Sequence, residues 1–380
     1  MTRAAFAIIL LVGLVNGCGV ENKSDGGQSI PPVFSVSVTD SSMRFDGETV
    51  GGFARIAWGR QLSDGTLVVG DRRLAELSFF PRHQPPFVAA RRGPGPGELE
   101  AVVDGGVLRA DSVINSGMHL SVFGGEGAFA RALPVPIPSR SHQFLGLLKD
   151  SILVFKVFEG ELKPGLAIDT ATFVTQSSAS GVVRHLFQLP DRWSYFTNRG
   201  SRQDFLWTFP PFFGRSVSGV LDSLVVWGTG QVPFLFFLDE TGKKLDSIPV
   251  AFPRKRLLPW EVARVKEERL DRTGDNVEQR RAFEMMFDEV DFPDFHSFFD
   301  KLLIGSNGLL WLRAPVENPD DTVEWWAHDE TGQLRQKVLA PARFDILQFL
   351  DTTAVAIETT DLGVEYITVL SFVRSDLPSR

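Results

Sequence analysis

The sequence predicts an all-β fold made of small repeated sheets, and three observations lead to this prediction. The 380 residues include 35 glycines and 23 prolines, a composition that suits short strands joined by many tight turns. A turn followed by an apolar strand recurs along the chain. The copies are spaced at intervals that fit one small sheet each. Because every such sheet brings its own core, the length of the chain does not require several domains.

The recurring unit is a hairpin turn followed by a buried strand. Its clearest copy is 64–69, DGTLVV, in which Asp and Gly tolerate the positive φ of a tight turn and the aliphatic run behind them forms the strand. Weaker copies follow at 104–108, 149–154, 221–226, 306–311 and 351–356.

The spacing of these turns predicts a six-bladed β-propeller. The turn residues are 40, 46, 72, 85 and 44 residues apart, and three of these intervals match the period of a propeller blade. The two long intervals then require insertions. The sequence DETG occurs at 239–242 and again at 329–332, where each copy predicts the hairpin between the third and fourth strands of a blade. Residues 33–40 alternate apolar and polar side chains, and we expect them to add the missing outer strand to the last blade.

Residues 61–135 resemble the NHL-type repeats of six-bladed β-propellers, a group that includes many bacterial envelope lipoproteins. The resemblance rests on the turn and strand at 64–69, on Asp71, on the apolar strand 77–80 and on the loop 93–98, GPGPGE. It implies the same six-bladed fold. We interpret the loop as a connector between blades, because its prolines lack the amide donors that a phosphate cradle needs and no helix follows it.

The N-terminus has the pattern of an export signal. Arg3 precedes an apolar run at 4–15, which is too short to span a membrane. The following LVNGC, ending at Cys18, resembles the lipobox of bacterial lipoproteins, and Cys18 is the only cysteine of the chain. We therefore predict a signal peptide at 1–17, lipidation of Cys18 and a flexible tether over 18–32, with the propeller at 33–380. An ordinary secretory signal with an incidental cysteine is the alternative.

The predicted location and partners follow from the anchor and from the charge. Glycine rather than aspartate follows Cys18, which by the same resemblance favours the outer membrane of the cell envelope. The formal charge of −8 disfavours a nucleic-acid partner. We expect the chain to contact the membrane through its lipid anchor.

The first long interval contains aromatic side chains interleaved with arginines at 192–215. Such rings and guanidinium groups could stack on sugars, on aromatic ligands or on a partner surface, or they could simply cover an oversized connection. The candidate binding residues are Trp193, Tyr195, Arg199, Arg202 and Trp207.

The second long interval predicts a helical insertion at 257–291. Pro259 suits a first helical turn, and Gly274 with Asp275 predicts a stop followed by a new N-cap. The second helix has an apolar stripe. Its members are Phe283, Met286, Phe287 and Val290. The helical pair could form a lid or a docking surface, or it could simply pack on one rim of the propeller.

Residues that could carry chemistry are few. His142 and His296 are the histidines placed on or near first strands, and they are candidates for lining the propeller channel. Without a third ligand they predict no metal site, and no motif predicts a cofactor. The sequence therefore favours a binding or scaffold module for a protein, peptide or glycan partner, without catalysis. The alternative is a metal-assisted hydrolase or lyase with its site in the channel. It is favoured if both histidines face the channel within ~5 Å of an acidic side chain, and disfavoured if they are buried facing outward.

Overall fold

The computed structural model describes residues 31–37, 44–45, 52–136, 142–149, 151–159, 164–198, 205–315 and 322–374. Residues 31–380 belong to one compact unit. Strands predominate in the described ranges, which also contain two α-helices. Neither helix in these ranges is long and apolar enough to cross a membrane. Cys18 and its flanking sequence lie outside the described residues.

Two short strands come first, and four sheets of consecutive antiparallel strands follow. The first strands are β1 (Val33–Ser37) and β2 (Arg44–Phe45). Sheet I contains β3 (Ile56–Gln61), β4 (Leu67–Asp71), β5 (Glu76–Phe80) and β6 (Phe87–Ala90). Sheet II contains β7 (Asp104–Val107), β8 (Val113–Ser116), β9 (His119–Phe123) and β10 (Phe129–Pro134). Sheet III contains β11 (His142–Leu148), β12 (Ile152–Glu159), β13 (Gly165–Ser177), β14 (Val183–Asn198) and β15 (Phe205–Thr208). Sheet IV contains β16 (Ser216–Leu221), β17 (Leu224–Thr229), β18 (Phe234–Leu238) and β19 (Lys244–Pro249).

The fifth sheet, sheet V, is larger because the N-terminal strand joins two sets of C-terminal strands. Its members are β20 (Lys301–Ile304), β21 (Leu310–Arg313), β22 (Thr322–His328), β23 (Leu334–Pro341), β24 (Phe344–Phe349), β25 (Thr353–Thr359) and β26 (Glu365–Arg374), together with β1 and β2. Strand β1 pairs antiparallel with β26 and parallel with β23. The prediction that the start of the chain adds a strand to its last sheet is therefore confirmed for Val33–Ser37.

The first strands of successive strand sets contact one another in a closed cycle. The contacts run from β3 to β7, β11, β16, β20 and β24, and return from β24 to β3. Apolar side chains fill the space between neighbouring sets, as where Trp311 stacks on Phe349 with ring centroids 3.8 Å apart. Each set buries both faces against its neighbours, which gives the fold its β-propeller type.

The turns follow the predicted chemistry, with one displacement. At the first copy Gly65 has φ +88°, and Asp64 accepts the amide hydrogen of Thr66 at 2.8 Å. The second turn is not at Asp104, which starts strand β7 and accepts the amide hydrogen of Phe144 at 3.0 Å. It lies at 109–111, where Ala110 and Asp111 have positive φ. Asp104 thus joins sheet II to sheet III instead of making a turn.

The two DETG segments do form the hairpins predicted from their repetition. The first connects β18 to β19 and the second connects β22 to β23. In each segment the aspartate accepts two backbone amide hydrogens across the turn, at 2.8 and 3.0 Å for Asp239 and at 2.9 and 3.0 Å for Asp329.

The helical insertion contains α1 (Pro259–Asp271) and α2 (Val277–Glu289). Pro259 occupies the first turn of α1, as predicted. Helix α2 is capped by Asn276, which accepts the amide hydrogen of Gln279 at 2.9 Å, so the cap lies one residue beyond the predicted Asp275. The apolar stripe of α2 packs against Tyr195 of β14. The two insertions of the sequence therefore form one packed structure.

Candidate functional site

A pocket of about 500 Å³ lies where four first strands begin, and we call it the ring pocket. Strands β11, β16, β20 and β24 contribute to it, together with parts of β12, β14, β21 and β22. Its volume lies within the range of small-molecule sites, ~300–1,000 Å³. The lining residues used below are Gln143, Lys156, Asp191, Arg192, Arg215, Ser216, Ser218, Asp300, Lys301, Arg313 and Asp345.

The ring pocket is positively charged although the chain is acidic. Five of its lining residues are lysine or arginine and three are aspartate, whereas the whole chain has a formal charge of −8. A local excess of cations in a concave site raises the local concentration of anions. The distribution of these charges differs between the two sides of the pocket.

The side formed by β12, β14 and β16 is called here the insertion wall. At its base Lys156 forms an ion pair with Asp191 and donates a hydrogen bond to Ser216 Oγ at 2.8 Å. Ser216 in turn donates to Asp191 Oδ1 at 2.7 Å. Burial lowers the pKa of Lys156, while the carboxylate of Asp191 opposes that shift. Because Ser216 both donates and accepts within this group, its hydroxyl joins three strands.

Arg192 lies above this base and is held by rings more than by carboxylates. Its Nε is 3.7 Å from Asp191 Oδ2 and 4.0 Å from Asp169 Oδ2, and it has no hydrogen-bond partner among the described residues. Its guanidinium carbon lies 3.8 Å from the ring centroid of Phe209. Burial disfavours the charged form of both neighbours. It therefore lowers the pKa of Arg192 and raises the pKa of Asp169.

Arg215 completes the insertion wall. Its Nε donates to the backbone carbonyl of Asp300 at 3.0 Å. Within the described part of the chain it has no carboxylate partner inside 4.0 Å. The three cations Lys156, Arg192 and Arg215 are therefore balanced by only two carboxylates, those of Asp191 and Asp169. The insertion wall carries the excess positive charge of the pocket.

The opposite side, formed by Asp300, Lys301, Arg313 and Asp345, is called here the paired wall. Arg313 makes a forked ion pair with Asp300, with N···O distances of 2.7 and 3.0 Å. Lys301 donates to Asp345 Oδ1 at 2.7 Å and to the carbonyl of Ile346 at 2.8 Å. Two cations face two carboxylates here, so this wall is locally neutral.

The aromatic candidates from the sequence take different places. Trp193 is half-buried and packs on Phe213, with ring centroids 5.4 Å apart. Tyr195 is 1% exposed, and its hydroxyl donates to Glu289 at 2.7 Å, so it fastens α2 to β14. Trp207 is 42% exposed and lies 5.8 Å from the Arg192 guanidinium carbon. Arg199 and Arg202 lie outside the described residues.

The two candidate histidines have separate partners. His142, at the start of β11, is buried and forms a hydrogen bond with Ser116. His296 is buried under α1, where its Nε2 lies 3.1 Å from Glu261 Oε1. An acidic partner is thus present for His296, but it belongs to the helical insertion rather than to the ring pocket. Among the described residues no three His, Cys, Asp or Glu side chains are grouped to hold a metal ion.

Of the charged residues of the ring pocket, the sequence analysis marked only Arg192 and Arg215, as arginines of the 192–215 stretch, and missed the others, although a signal exists for several of them. Lys156 interrupts the apolar strand ILVFKVFE, and Lys301 and Arg313 stand at the ends of KLLI and LWLR. A single cation in an otherwise apolar propeller strand needs a partner or a polar cavity, because a buried charge is costly without one. That pattern predicts a charged site, although not which strands share it.

No protein-family model matches this chain, and no curated protein matches it in sequence. Solved structures with a similar chain path include a DUF4221 family member from Bacteroides vulgatus, at 10% identity over 91% of this chain and 98% of that chain with a TM-score of 0.49. They also include the calcium-binding protein regucalcin from Agrobacterium tumefaciens, at 10% identity over 92% and 99% with a TM-score of 0.44. Virginiamycin B lyase from Staphylococcus aureus is similar at 8% identity over 88% of both chains, with a TM-score of 0.40. At these values the likeness bears on neither the ligand nor the activity of this chain.

Proposed function

We propose that this chain is a binding module of the cell envelope whose ring pocket takes an anionic ligand. The observation that carries the proposal is the excess of cations on the insertion wall, in a chain that is otherwise acidic. Arg313 is neutralised by its forked ion pair with Asp300, but Arg192 and Arg215 have no such ion pair among the described residues. Planar guanidinium groups bind carboxylate and phosphate oxygens with two donors each.

The proposed scaffold is a six-bladed propeller. Sheet V then counts as two blades, β20–β23 and β24–β26, with β1 as the outer strand of the second. The closed cycle of first-strand contacts supports this count. Such a ring suits a binding role, because loops and insertions vary at one end while the sheets hold the pocket rigid.

The proposed location rests on the N-terminal sequence. The predicted tether 18–32 ends within the propeller, because the compact unit starts at Pro31 and Pro32 accepts the amide hydrogen of Lys337 at 3.0 Å. A lipid attached to Cys18, with 18–30 as the tether, would hold the propeller at a membrane of the cell envelope, the outer membrane in our proposal. Metabolic labelling with a palmitate analogue tests this, because the wild-type chain should incorporate the label and Cys18→Ala should not. Equal labelling of both chains, or of neither, would contradict the anchor.

The anion site is tested with small probes. We expect acetate and inorganic phosphate to bind the propeller weakly and in competition with each other, as measured by calorimetry at low ionic strength. Arg215→Gln should weaken both by roughly tenfold, since a charge-assisted contact is lost. Arg91→Gln is the matched control, because Arg91 is 71% exposed and lies outside the pocket. Binding that is absent, or equal in both variants and the wild type, would refute the site.

A further inference from the structure

The guanidinium of Arg192 is surrounded by aromatic rings at the edge of the ring pocket. Its central carbon lies 5.0 Å from the centroid of Phe158, 5.8 Å from that of Trp207 and 3.8 Å from that of Phe209. Cation–π contacts of this kind hold a cation in place without neutralising it. Arg192 is therefore positioned to meet a ligand anion at a fixed point.

Two of these rings remain open to solvent. Trp207 is 42% exposed and Phe209 is 37% exposed, and they pack edge to face with centroids 5.2 Å apart. Large rings that pack on each other yet stay partly exposed beside a charged pocket offer an apolar surface for contact. A ligand whose anionic group sits on Arg192 would extend across this surface.

The pocket also contains uncharged polar groups. Gln143 and Ser218 line it together with the cations. The amide of Gln143 and the hydroxyl of Ser218 can each donate and accept hydrogen bonds, so they can pair with hydroxyl groups of a ligand. Cations and hydroxyl-binding groups thus line the pocket together, and the rings of Trp207 and Phe209 lie beside it, against Arg192.

From this juxtaposition of Arg192, Trp207 and the polar lining, we infer that the ring pocket binds an acidic saccharide, a sugar of the uronic acid type. Its carboxylate pairs with Arg192 and Arg215, its hydroxyls meet Gln143 and Ser218, and the C–H face of its ring lies on Trp207 or Phe209. This inference rests on the proposed anion site and adds the class of ligand. An inorganic anion would use neither the rings nor the volume of about 500 Å³.

The test compares three probes on the folded full propeller. These are acetate, a trisaccharide of galacturonic acid and a neutral trisaccharide of galactose, each titrated by calorimetry with tryptophan fluorescence as a second readout. We expect the acidic trisaccharide to bind about tenfold or more tightly than acetate, and the neutral one to bind weakly. Trp207→Ala should remove most of the gain of the trisaccharide and weaken acetate much less, because Phe158 and Phe209 lie closer to Arg192 and still hold it. Trp207→Phe should retain part of the gain.

Trp260→Ala is the control, because Trp260 is 59% exposed on α1 and does not line the ring pocket. It should leave all three affinities unchanged. If acetate binds but the acidic trisaccharide binds no more tightly, or Trp207→Ala has no effect on it, the saccharide inference is overturned and the anion site stands. An acidic peptide is added as a fourth probe. If it binds through Trp207 and the trisaccharide does not, the inference is likewise overturned in favour of a peptide ligand. If no anion binds, the proposed function fails first.

Discussion

The two walls of the ring pocket use the same side-chain types but balance them differently. On the paired wall Arg313 and Lys301 each have a carboxylate of their own, Asp300 and Asp345. On the insertion wall Lys156 and Arg192 share two carboxylates, Arg215 bonds to a backbone carbonyl, and Arg192 is held by rings. The paired wall is therefore suited to holding strands in register, and the insertion wall to holding a ligand.

The walls also differ in burial. Lys156 and Asp191 have side chains that are 4% and 3% exposed, whereas Lys301 is 22% and Asp345 52% exposed. Water can replace a lost partner on the paired wall but not at the base of the insertion wall. The same kind of substitution should therefore have very different costs on the two sides.

The largest expected effect is that of Lys156→Met. It removes the close cation of the buried Asp191 and leaves only the more distant Arg192, 3.7 Å away, so we expect a loss of about 3 kcal/mol in the free energy of unfolding. Lys301→Met is the matched control and should cost about 1 kcal/mol or less, because its partner is solvated. Urea denaturation measures both. Adding Asp191→Asn to Lys156→Met should recover part of the loss, and similar costs for the two lysine variants would contradict the difference between the walls.

The buried histidine His328 shows the cost of burying a basic side chain away from the pocket. His328 is fully buried on β22, and neither ring nitrogen has a hydrogen-bond partner among the described residues. Burial lowers its pKa from 6.5 to about 4. The unfolded chain takes up a proton on this histidine near pH 6.5, and the folded chain does so only near pH 4. The folded state is therefore not penalised by His328 above pH 6.5. Its free energy of unfolding falls as the pH drops from 6.5, and the loss is complete once the pH has fallen through 4.

Because of His328, we expect the free energy of unfolding to be about 3 kcal/mol lower at pH 4 than at pH 7. This value follows from about 1.4 kcal/mol for each unit of pKa shift. Other acidic groups add their own pH dependence, so the measurement is a difference between variants. His328→Leu should lose about 3 kcal/mol less than the wild type over this range. His119→Gln, at an exposed position, should follow the wild type. Parallel curves for wild type and His328→Leu would contradict the assignment.

The regular parts of this fold could be predicted from sequence because their signals are local. A turn such as 64–66 needs only Asp, Gly and the strand behind them, and the β1 strand shows its alternation in five residues. The one displaced turn shows the limit. Asp104 and Gly105 have turn chemistry, but the side chain of Asp104 bonds to a strand 40 residues away, and this contact overrides the local preference.

The site was less predictable because its members come from distant strands. Lys156, Asp191 and Ser216 meet across three strands, separated along the chain by 35 and 25 residues. The sequence analysis singled out the aromatic insertion, yet it could not separate Tyr195, which fastens a helix, from Trp207, which stays exposed. The two residues lie on the paired strands β14 and β15, and only the packed helix decides which of them is covered.

A smaller effect tests how the insertion wall is supported. Tyr195→Phe removes the hydrogen bond to Glu289, and we expect a cost of about 1 kcal/mol in unfolding free energy with faster amide exchange in α2. Glu284→Gln, on the same helix but 44% exposed, should cost less than about 0.5 kcal/mol. Equal effects of the two variants would show that α2 is held by its apolar stripe alone.

The smallest effect is expected for Asp345→Asn, which gives the paired wall an excess of positive charge like that of the insertion wall. Asp345→Asn removes the carboxylate that pairs with Lys301 and lies 3.7 Å from Arg313 Nη1, which leaves an extra positive charge facing the pocket. We expect phosphate to bind about fivefold more tightly, the equivalent of ~1 kcal/mol, with the gain falling as salt is added. Asp351→Asn, an exposed acid outside the pocket lining, should not change the affinity. If Asp345→Asn leaves phosphate affinity unchanged while Arg215→Gln lowers it, the anion contacts the insertion wall alone, and the paired wall serves only to join its strands.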